Sequence, residues 1–295
     1  MDDVIIIGGS FAGLAGALQL VRARRKVTIL DTGLNRNRFA GHSHGVLGHD
    51  HKSPADILGD ARQQLTRYPT LTTINARAET ISGAADDFSV TLDDGRVLKG
   101  RRILLAYGVT DQMPDIAGFA ECWGKSIVSC PYCDGFEVAG KHWGLLYGGP
   151  HSLHATQLFA DWTDQITVFA NGHDIPTDER ASIARRGFSI VDGKVSGIAH
   201  DSGKIGAVQT EDAETPVDVL FAHPNYRPSS SLHEALDIVM DHNAIGSTIK
   251  VDDMRQTSVA GIFAAGDLMN PMASVTFAMA SGAFAAVCAQ RSMLV

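Results

Sequence analysis

An α/β fold with two βαβ units, each of three-layer ββα construction, is what the sequence predicts. Three observations predict it. Residues 4–7 are a short apolar run that ends at "GGSFAG", and Phe11, Leu14, Ala15, Leu18 and Val21 then recur at helical spacing before the strand "KVTILD". Strand, glycine-rich turn, helix and strand thus follow one another within about thirty residues. A second such unit runs from "KHWGLLYGGPHSLHATQLF" (141–159) to "QITVFANG" (165–172). Near the end, the apolar strand in "VAGIFAAGDLMNP" leads into Gly266-Asp267 and then a small-residue-rich helix, "SVTFAMASGAFAAVCAQRSML".

The first unit comes close to the dinucleotide fingerprint G-x-G-x-x-G through Gly8, Ser10 and Gly13. In such a turn the first glycine makes the bend. The middle position lets the backbone approach a pyrophosphate, and the last permits close helix–strand packing. Ser10 is small but not glycine. Asp31 stands at the end of the second strand, where an acid would hold a ribose. In the second unit Pro150 and Leu153 occupy positions where glycine and a small residue would be wanted, and proline removes an N–H donor.

Between these units the chain reads in shorter pieces. Residues 35–54 are loop-like, with histidines at 42, 44, 49 and 51. Such a tract can bind metal. No carboxylate or cysteine framework fixes a geometry in it, and the spacing fits no familiar zinc pattern, so a loop near a bound cofactor, with no metal, is expected. "SPADILGDARQQLTRYP" predicts a helix with Ser53 as N-cap and Pro54 at its first position. Residues 71–107 alternate and predict antiparallel strands, with Asp94-Gly95 as a hairpin turn, followed by a buried strand.

Composition bounds the function. The chain has 295 residues, 44% hydrophobic and 20% charged, enough for one large or two medium domains. Its net charge of −8 and the absence of a basic run argue against nucleic-acid binding. No run of eighteen apolar residues predicts a membrane span, and the acidic "MDDVIIIGG" is not a signal sequence, so a cytoplasmic location is expected. Four cysteines there are not a disulfide framework.

Two of them, Cys130 and Cys133, form a C-x-x-C in "SCPYCDGFE". Such a pair can be half a zinc site, a redox disulfide or two core residues. Zinc needs a second ligand pair, and Cys122 and Cys288 are single and distant. The intervening Pro-Tyr favours a turn that opens a helix, where amide dipoles lower a thiol pKa and speed exchange. Trp123, Trp143 and Trp162 are expected as core or interface aromatics, and Cys122 and Cys288 as buried free thiols.

Taken in order, "VIIIGGSFAGLAGAL", "LLAYGVTDQMP", "CPYCD", the second βα unit and "GIFAAGD" resemble the low-molecular-weight thioredoxin reductase family over the whole chain. The resemblance implies two Rossmann-like domains: an FAD domain of residues 1–112 and 243–295, and an inserted NAD(P)-like domain of 113–242 carrying the C-x-x-C. It implies FAD contacts from Gly8, Ser10, Phe11, Ala12, Gly13 and Asp31, from Gly108, and from Gly266, Asp267, Ser274 and Val275. It gives Cys130 the role of interchange thiol, Cys133 that of flavin-proximal thiol and Asp134 that of proton carrier. It implies a homodimer and, as partner, a small thiol or disulfide or a thioredoxin-like protein.

The pattern departs from the family at "GGPHSL" and in lacking an arginine after Phe169 to take a 2′-phosphate. NADPH or NADH therefore stays an open expectation, with NADPH recognition weakened. The "CPYC" pair and "HSHG" loop also look similar to the gliotoxin-type dithiol oxidases, which pass electrons from a dithiol through FAD to oxygen. That oxidase reading, a sensing flavoprotein and an NAD(P)H-dependent flavin oxidase are the alternatives.

Overall fold

The computed structural model describes residues 1–294, and for His151 and Leu153 only the backbone. The expectation about the side chain of Leu153 lies outside the described residues. The chain divides into two compact units. One comprises Met1–Arg38, Ser53–Asp111 and the chain from Tyr226 onward; the other comprises Phe39–Lys52 and Gln112–Asn225.

The first unit opens with β1 (Asp2–Ile7), α1 (Phe11–Arg22), β2 (Val27–Asp31), α2 (Pro54–Leu65) and β3 (Leu71–Asn75). It continues through β4 (Ala78–Ser82), β5 (Phe88–Leu92), β6 (Val97–Leu105) and β7 (Val109–Gln112). Val4, Ile5 and Ile6 are wholly buried, each contributing on the order of 2 kcal/mol of apolar burial. That continuous apolar run is what a strand covered on both faces requires. The sheet order is β3-β2-β1-β6-β5-β4. The nine-residue β6 serves two purposes: its first half pairs antiparallel with β5, and its second half pairs parallel with β1.

One expectation is corrected here. Residues 71–75 do not begin an antiparallel set, because β3 pairs parallel with β2, from Val27↔Leu71 to Asp31↔Asn75. The crossover through α2 makes it the third strand of the βαβ series, and with no residue fully buried it lies at the edge of the sheet. The hairpins begin only at β4, and Gly95, with φ +85°, makes the turn before β6. Ser53 caps α2 as expected, its hydroxyl accepting from the Asp56 amide at 3.0 Å.

The second unit holds α3 (Phe119–Cys122), β8 (Ile127–Val128), α4 (Pro131–Asp134), β9 (Trp143–Leu146), α5 (His151–Phe159), β10 (Ile166–Phe169) and α6 (Thr177–Arg185). It continues with β11 (Ser189–Val191), β12 (Val195–Asp201), β13 (Lys204–Thr210), β14 (Glu214–Pro216) and β15 (Val219–Phe221). Its parallel sheet has the order β11-β10-β9-β15-β8, with β12-β13-β14 as a separate antiparallel sheet. Trp143 is fully buried against Phe159 and Phe221, and Trp123 stacks on Phe119. Cys122 and Cys288 are buried free thiols.

The chain re-enters the first unit with β16 (Asn225–Pro228), α7 (Leu232–Ala235), β17 (Met240–Asn243), β18 (Gly246–Ile249), β19 (Ile262–Ala264) and α8 (Val275–Arg291). Residues 226–242 thus lie with the first unit rather than with 113–242. The reason is that β16 pairs with β18, and that Leu232 and Ile238 join the core built on Ile5, Phe88 and Ile103. Residues 39–52 lie with the second unit although they sit between β2 and α2 in sequence. Strand β19 docks on β6, and α8 crosses α1, where a Cβ on Gly282 would collide with the Ala12 carbonyl. The small residues of α8 are what allow that approach. Among the described residues no helix is long and apolar enough to cross a membrane.

Candidate active site

In the first unit the residues of the glycine-rich turn form a tight cradle. Gly8 has φ +113°, a conformation open to glycine, and its Cα faces the Ala106 carbonyl so closely that a Cβ would collide. A Cβ on Gly13 would strike the Gly8 carbonyl, and one on Gly9 would stand 2.6 Å from Asp31 Cβ. Ser10 is the N-cap of the twelve-residue α1, yet its side chain makes no capping bond, and no acidic residue occupies the first turn. The opening amides of Phe11, Ala12 and Gly13 thus have no side-chain acceptor and face outward with the positive end of the helix dipole, the arrangement that takes an anion.

Asp31 lies at the end of β2. Its Oδ1 accepts from the Gly33 amide and its Oδ2 from Arg62 Nη2, both at 3.0 Å. Gly108 has φ +67°, and its carbonyl accepts from the Ser229 amide at 3.0 Å. Gly266 has φ +74°, and its amide donates to Ser281 Oγ at 2.9 Å. Ser274 caps α8 by accepting from Phe277, and Val275 opens that helix. Asp267 accepts from Arg36 Nη1 at 2.9 Å, while Arg36 Nε donates to Asp111 Oδ2 at 3.0 Å. Burial alone would weaken the Arg36 cation, but its bonds to the two carboxylates prevail and raise its pKa. Burial likewise raises the Asp267 carboxyl, with Arg36 opposing it. Arg36 and Arg62 were not legible in the sequence. Arg36 reaches across 231 positions to Asp267, and no local pattern marks such a contact.

In the second unit Cys130 precedes the short α4, and its carbonyl accepts from the amides of Cys133 and Asp134 at 3.1 and 3.2 Å. Both cysteines are free thiols, half-buried. They differ sharply in chemistry. The hydrogen bond from Cys133 favours a thiolate on Cys130, and with the amides of Cys133 and Tyr132 it lowers that thiol to about 7 against the cost of burial. The same bond, burial and the nearby charges of Cys130 and Asp134 push Cys133 strongly upward. One sulfur is thus the ready nucleophile and the other the proton holder.

Burial lifts the Asp134 carboxyl to about 6, a range in which it can both give and take a proton near neutrality. Charge on His44 opposes that lift and charge on Glu137 adds to it. His44 Nδ1 is 3.4 Å from Glu137 Oε1. Tyr132 and Phe136 flank the pair with 70% and 81% exposure, leaving an apolar rim beside the sulfurs. His44 and Glu137 belong to this site although they are ninety-three positions apart. The sequence offered only a histidine-rich loop and a nearby acid.

The second glycine-rich turn differs from the first. Gly149 has φ +127°, and α5 begins directly after Pro150, which already has helical angles. The Gly148 amide donates to Ser152 Oγ at 3.0 Å, so the turn satisfies one of its own amides. At the end of β9, Tyr147 donates to Glu179 Oε2 at 2.8 Å. Arg180 is committed to Asp192, with Nη1 at 3.2 Å, and to the Ile175 carbonyl.

Two sheets with glycine-rich βα turns, one holding an open anion cradle, and a dithiol with one activated sulfur define a flavin- and thiol-dependent oxidoreductase. The chain belongs to the pyridine nucleotide-disulphide oxidoreductase family, whose model matches residues 2–282. It is 32% identical to thioredoxin reductase tcpT of Claviceps purpurea, over 99% of this chain and 94% of that protein. It is also 32% identical to thioredoxin reductase sirT of Leptosphaeria maculans, over 95% and 90%. Among solved structures, an oxidoreductase from Agrobacterium tumefaciens superposes with a TM-score of 0.94 at 40% identity, covering 99% of this chain and 98% of that one. The chain is accordingly a thioredoxin-reductase-like, FAD-dependent oxidoreductase.

Proposed function

We propose that the enzyme exchanges two electrons between FAD and an external dithiol or disulfide through Cys130 and Cys133, and that NADPH is a poor donor. The observation that carries this is the opposed chemistry of the two thiols: Cys130 is lowered to about 7 while Cys133 is raised.

FAD fits the first unit, which would form the discontinuous FAD-binding domain. The amides of Phe11, Ala12 and Gly13 would receive its pyrophosphate, in a turn whose close packing admits no Cβ at Gly8 or Gly13, with Ser10 small enough to leave the helix end open. Asp31 would hold the adenosine ribose, and Asp267, steadied by Arg36, a polar part of the chain. Gly108, Gly266, Ser274 and Val275 complete the set. When bound, FAD supplies the two-electron acceptor or donor that the cysteines cannot replace.

The thiol chemistry belongs to the chain. With the pair oxidised, a substrate thiolate attacks Cys130 Sγ. The Cys130–Cys133 bond breaks, and Cys133 leaves as a thiolate that takes a proton from Asp134. The second substrate thiolate then attacks its own sulfur in the mixed disulfide and expels Cys130 as thiolate. The substrate leaves as a disulfide, two electrons poorer, and the enzyme holds a dithiol. Run backward, the same steps reduce a disulfide. The exposed Tyr132 and Phe136 suit a substrate with apolar surface, whether a small dithiol or a thioredoxin-like protein.

Three features support weak NADPH recognition. Ser152 occupies an amide of the second turn, Glu179 places a carboxylate at the strand end, and Arg180 is spent on Asp192. A cytoplasmic homodimer fits the free thiols and the exposed Phe277, Phe284 and Val287, which repeat along one face of α8.

The division of labour between the thiols is tested with Cys133→Ser and an aromatic disulfide such as dithiobis(nitrobenzoate). Stoichiometric release of thionitrobenzoate, with the other half retained on Cys130, is expected. Cys130→Ser should release none on that timescale. Equal reactivity of the two variants would contradict the assignment.

A further inference from the structure

The histidine-rich loop that brings His44 to the thiol site also gathers two further groups beside it. His44, Asp50 and His51 each direct a ligand-competent atom into one small volume, with those atoms all within 4.8 Å of one another. His51 Nε2 is 3.4 Å from Asp50 Oδ2, and His44 Nδ1 is 4.0 Å from Asp50 Oδ1. The two imidazoles meet edge to face with centroids 4.7 Å apart. From these contacts we propose that His44, Asp50 and His51 form a binding site for one divalent transition-metal ion of the zinc class.

The distances suit the chemistry. Ligands about 2.0–2.2 Å from a tetrahedral zinc ion stand roughly 3.4 Å apart, so atoms that lie within 4.8 Å of one another need side-chain adjustments of about an ångström to enclose the ion. Two imidazoles and a carboxylate are a donor set that favours zinc, cobalt or nickel over calcium or magnesium, which want oxygen alone. Three protein ligands leave room for water, or for Glu137, whose Oε1 stands 3.4 Å from His44 Nδ1.

The loop is organised around these groups. The Ser43 amide donates to the Lys52 carbonyl at 2.8 Å and the His51 amide to the Ser43 carbonyl at 3.0 Å, closing the segment on itself. The Gly45 amide fixes Asp50 Oδ1 at 2.9 Å. His51 is held at φ +64°, a left-handed conformation that glycine would adopt more cheaply. His44 Nδ1 is buried and has no hydrogen-bond partner among the described residues. A buried ring nitrogen without a hydrogen bond is costly, and in the tautomer that leaves it unprotonated a cation at the cluster would satisfy it. The sequence showed no framework because the spacing is irregular. The fold supplies one by doubling the loop back so that the Asp50 carboxylate lies beside a nitrogen of each ring.

The test is calorimetric titration of Zn²⁺ into the FAD-loaded protein with the Cys130–Cys133 pair oxidised, so that thiolates cannot bind the metal. Saturable, equimolar binding in the micromolar range is expected. His51→Gly, which relaxes the backbone while removing a ligand, should weaken it at least tenfold with the flavin spectrum and melting temperature unchanged. His44→Ala should do the same, and His42→Ala should not. No binding to the wild type, or equal binding by His51→Gly, would overturn the proposal.

Discussion

The two glycine-rich βα turns, at residues 8–13 and 148–153, share a strand–turn–helix form and differ in what surrounds their amides. In the first, a Cβ is excluded by backbone at Gly8 and Gly13 and by the Asp31 side chain at Gly9, and the amides of a twelve-residue helix lack side-chain acceptors. In the second, a serine hydroxyl takes an amide, a proline leads the helix and a carboxylate sits at the strand end. The comparison teaches that a βα turn can keep its bend while the groups around its amides change. The fold needs only the bend and the packing; an anion needs unclaimed N–H groups and an absence of negative charge.

The largest expected effect comes from filling the first turn. Gly13→Ala sets a Cβ against the Gly8 carbonyl, so purified protein should retain FAD at least a hundredfold more weakly, read as the ratio of flavin to protein absorbance. Gly149→Ala, at the corresponding bend of the second turn, should leave that ratio unchanged. A yellow Gly13→Ala protein would erase the distinction.

An intermediate effect should follow from reopening the second turn. Glu179→Gln removes a negative charge beside Tyr147. At roughly 6 Å in an intermediate dielectric such a charge is worth about 1–3 kcal/mol. The KM for NADPH in flavin reduction should fall about tenfold, and the rate with a dithiol should not change. If neither moves, Glu179 is not part of what closes that turn.

The smallest effect concerns the dithiol. Alkylation of Cys130 by iodoacetamide should rise with pH through a midpoint near 7, since the thiolate is the reactive form and its pKa is lowered to about 7. Asp134, lifted to about 6, is mostly ionised at that midpoint, and its charge raises the Cys130 pKa. Asp134→Asn should therefore move the midpoint downward, by a few tenths of a pH unit to one unit. An upward shift would contradict the sign.

How much of this was legible in the sequence follows from the range of each interaction. The β1-α1-β2 unit was readable because apolar spacing, turn and acid all lie within thirty residues. The strand at 71–75 was misread as antiparallel because a half-exposed edge strand looks the same in sequence whichever way it pairs. The C-x-x-C and Asp134 were local and stood out. What escaped were contacts across long separations: Arg36 to Asp267, His44 to Glu137, and the assignment of residues 39–52 to the second unit. Periodicity carries no information about which loop a distant helix will meet.

The central claim is that the Cys130–Cys133 pair passes electrons between FAD and an external thiol or disulfide, and that NADPH is a poor donor. Anaerobic mixing of the oxidised holoenzyme with micromolar NADPH, and separately with a small dithiol, measures it by flavin bleaching. The account predicts rapid bleaching by the dithiol, abolished in Cys130→Ser, and slow or no bleaching by NADPH. Rapid bleaching by NADPH at micromolar concentration would contradict it.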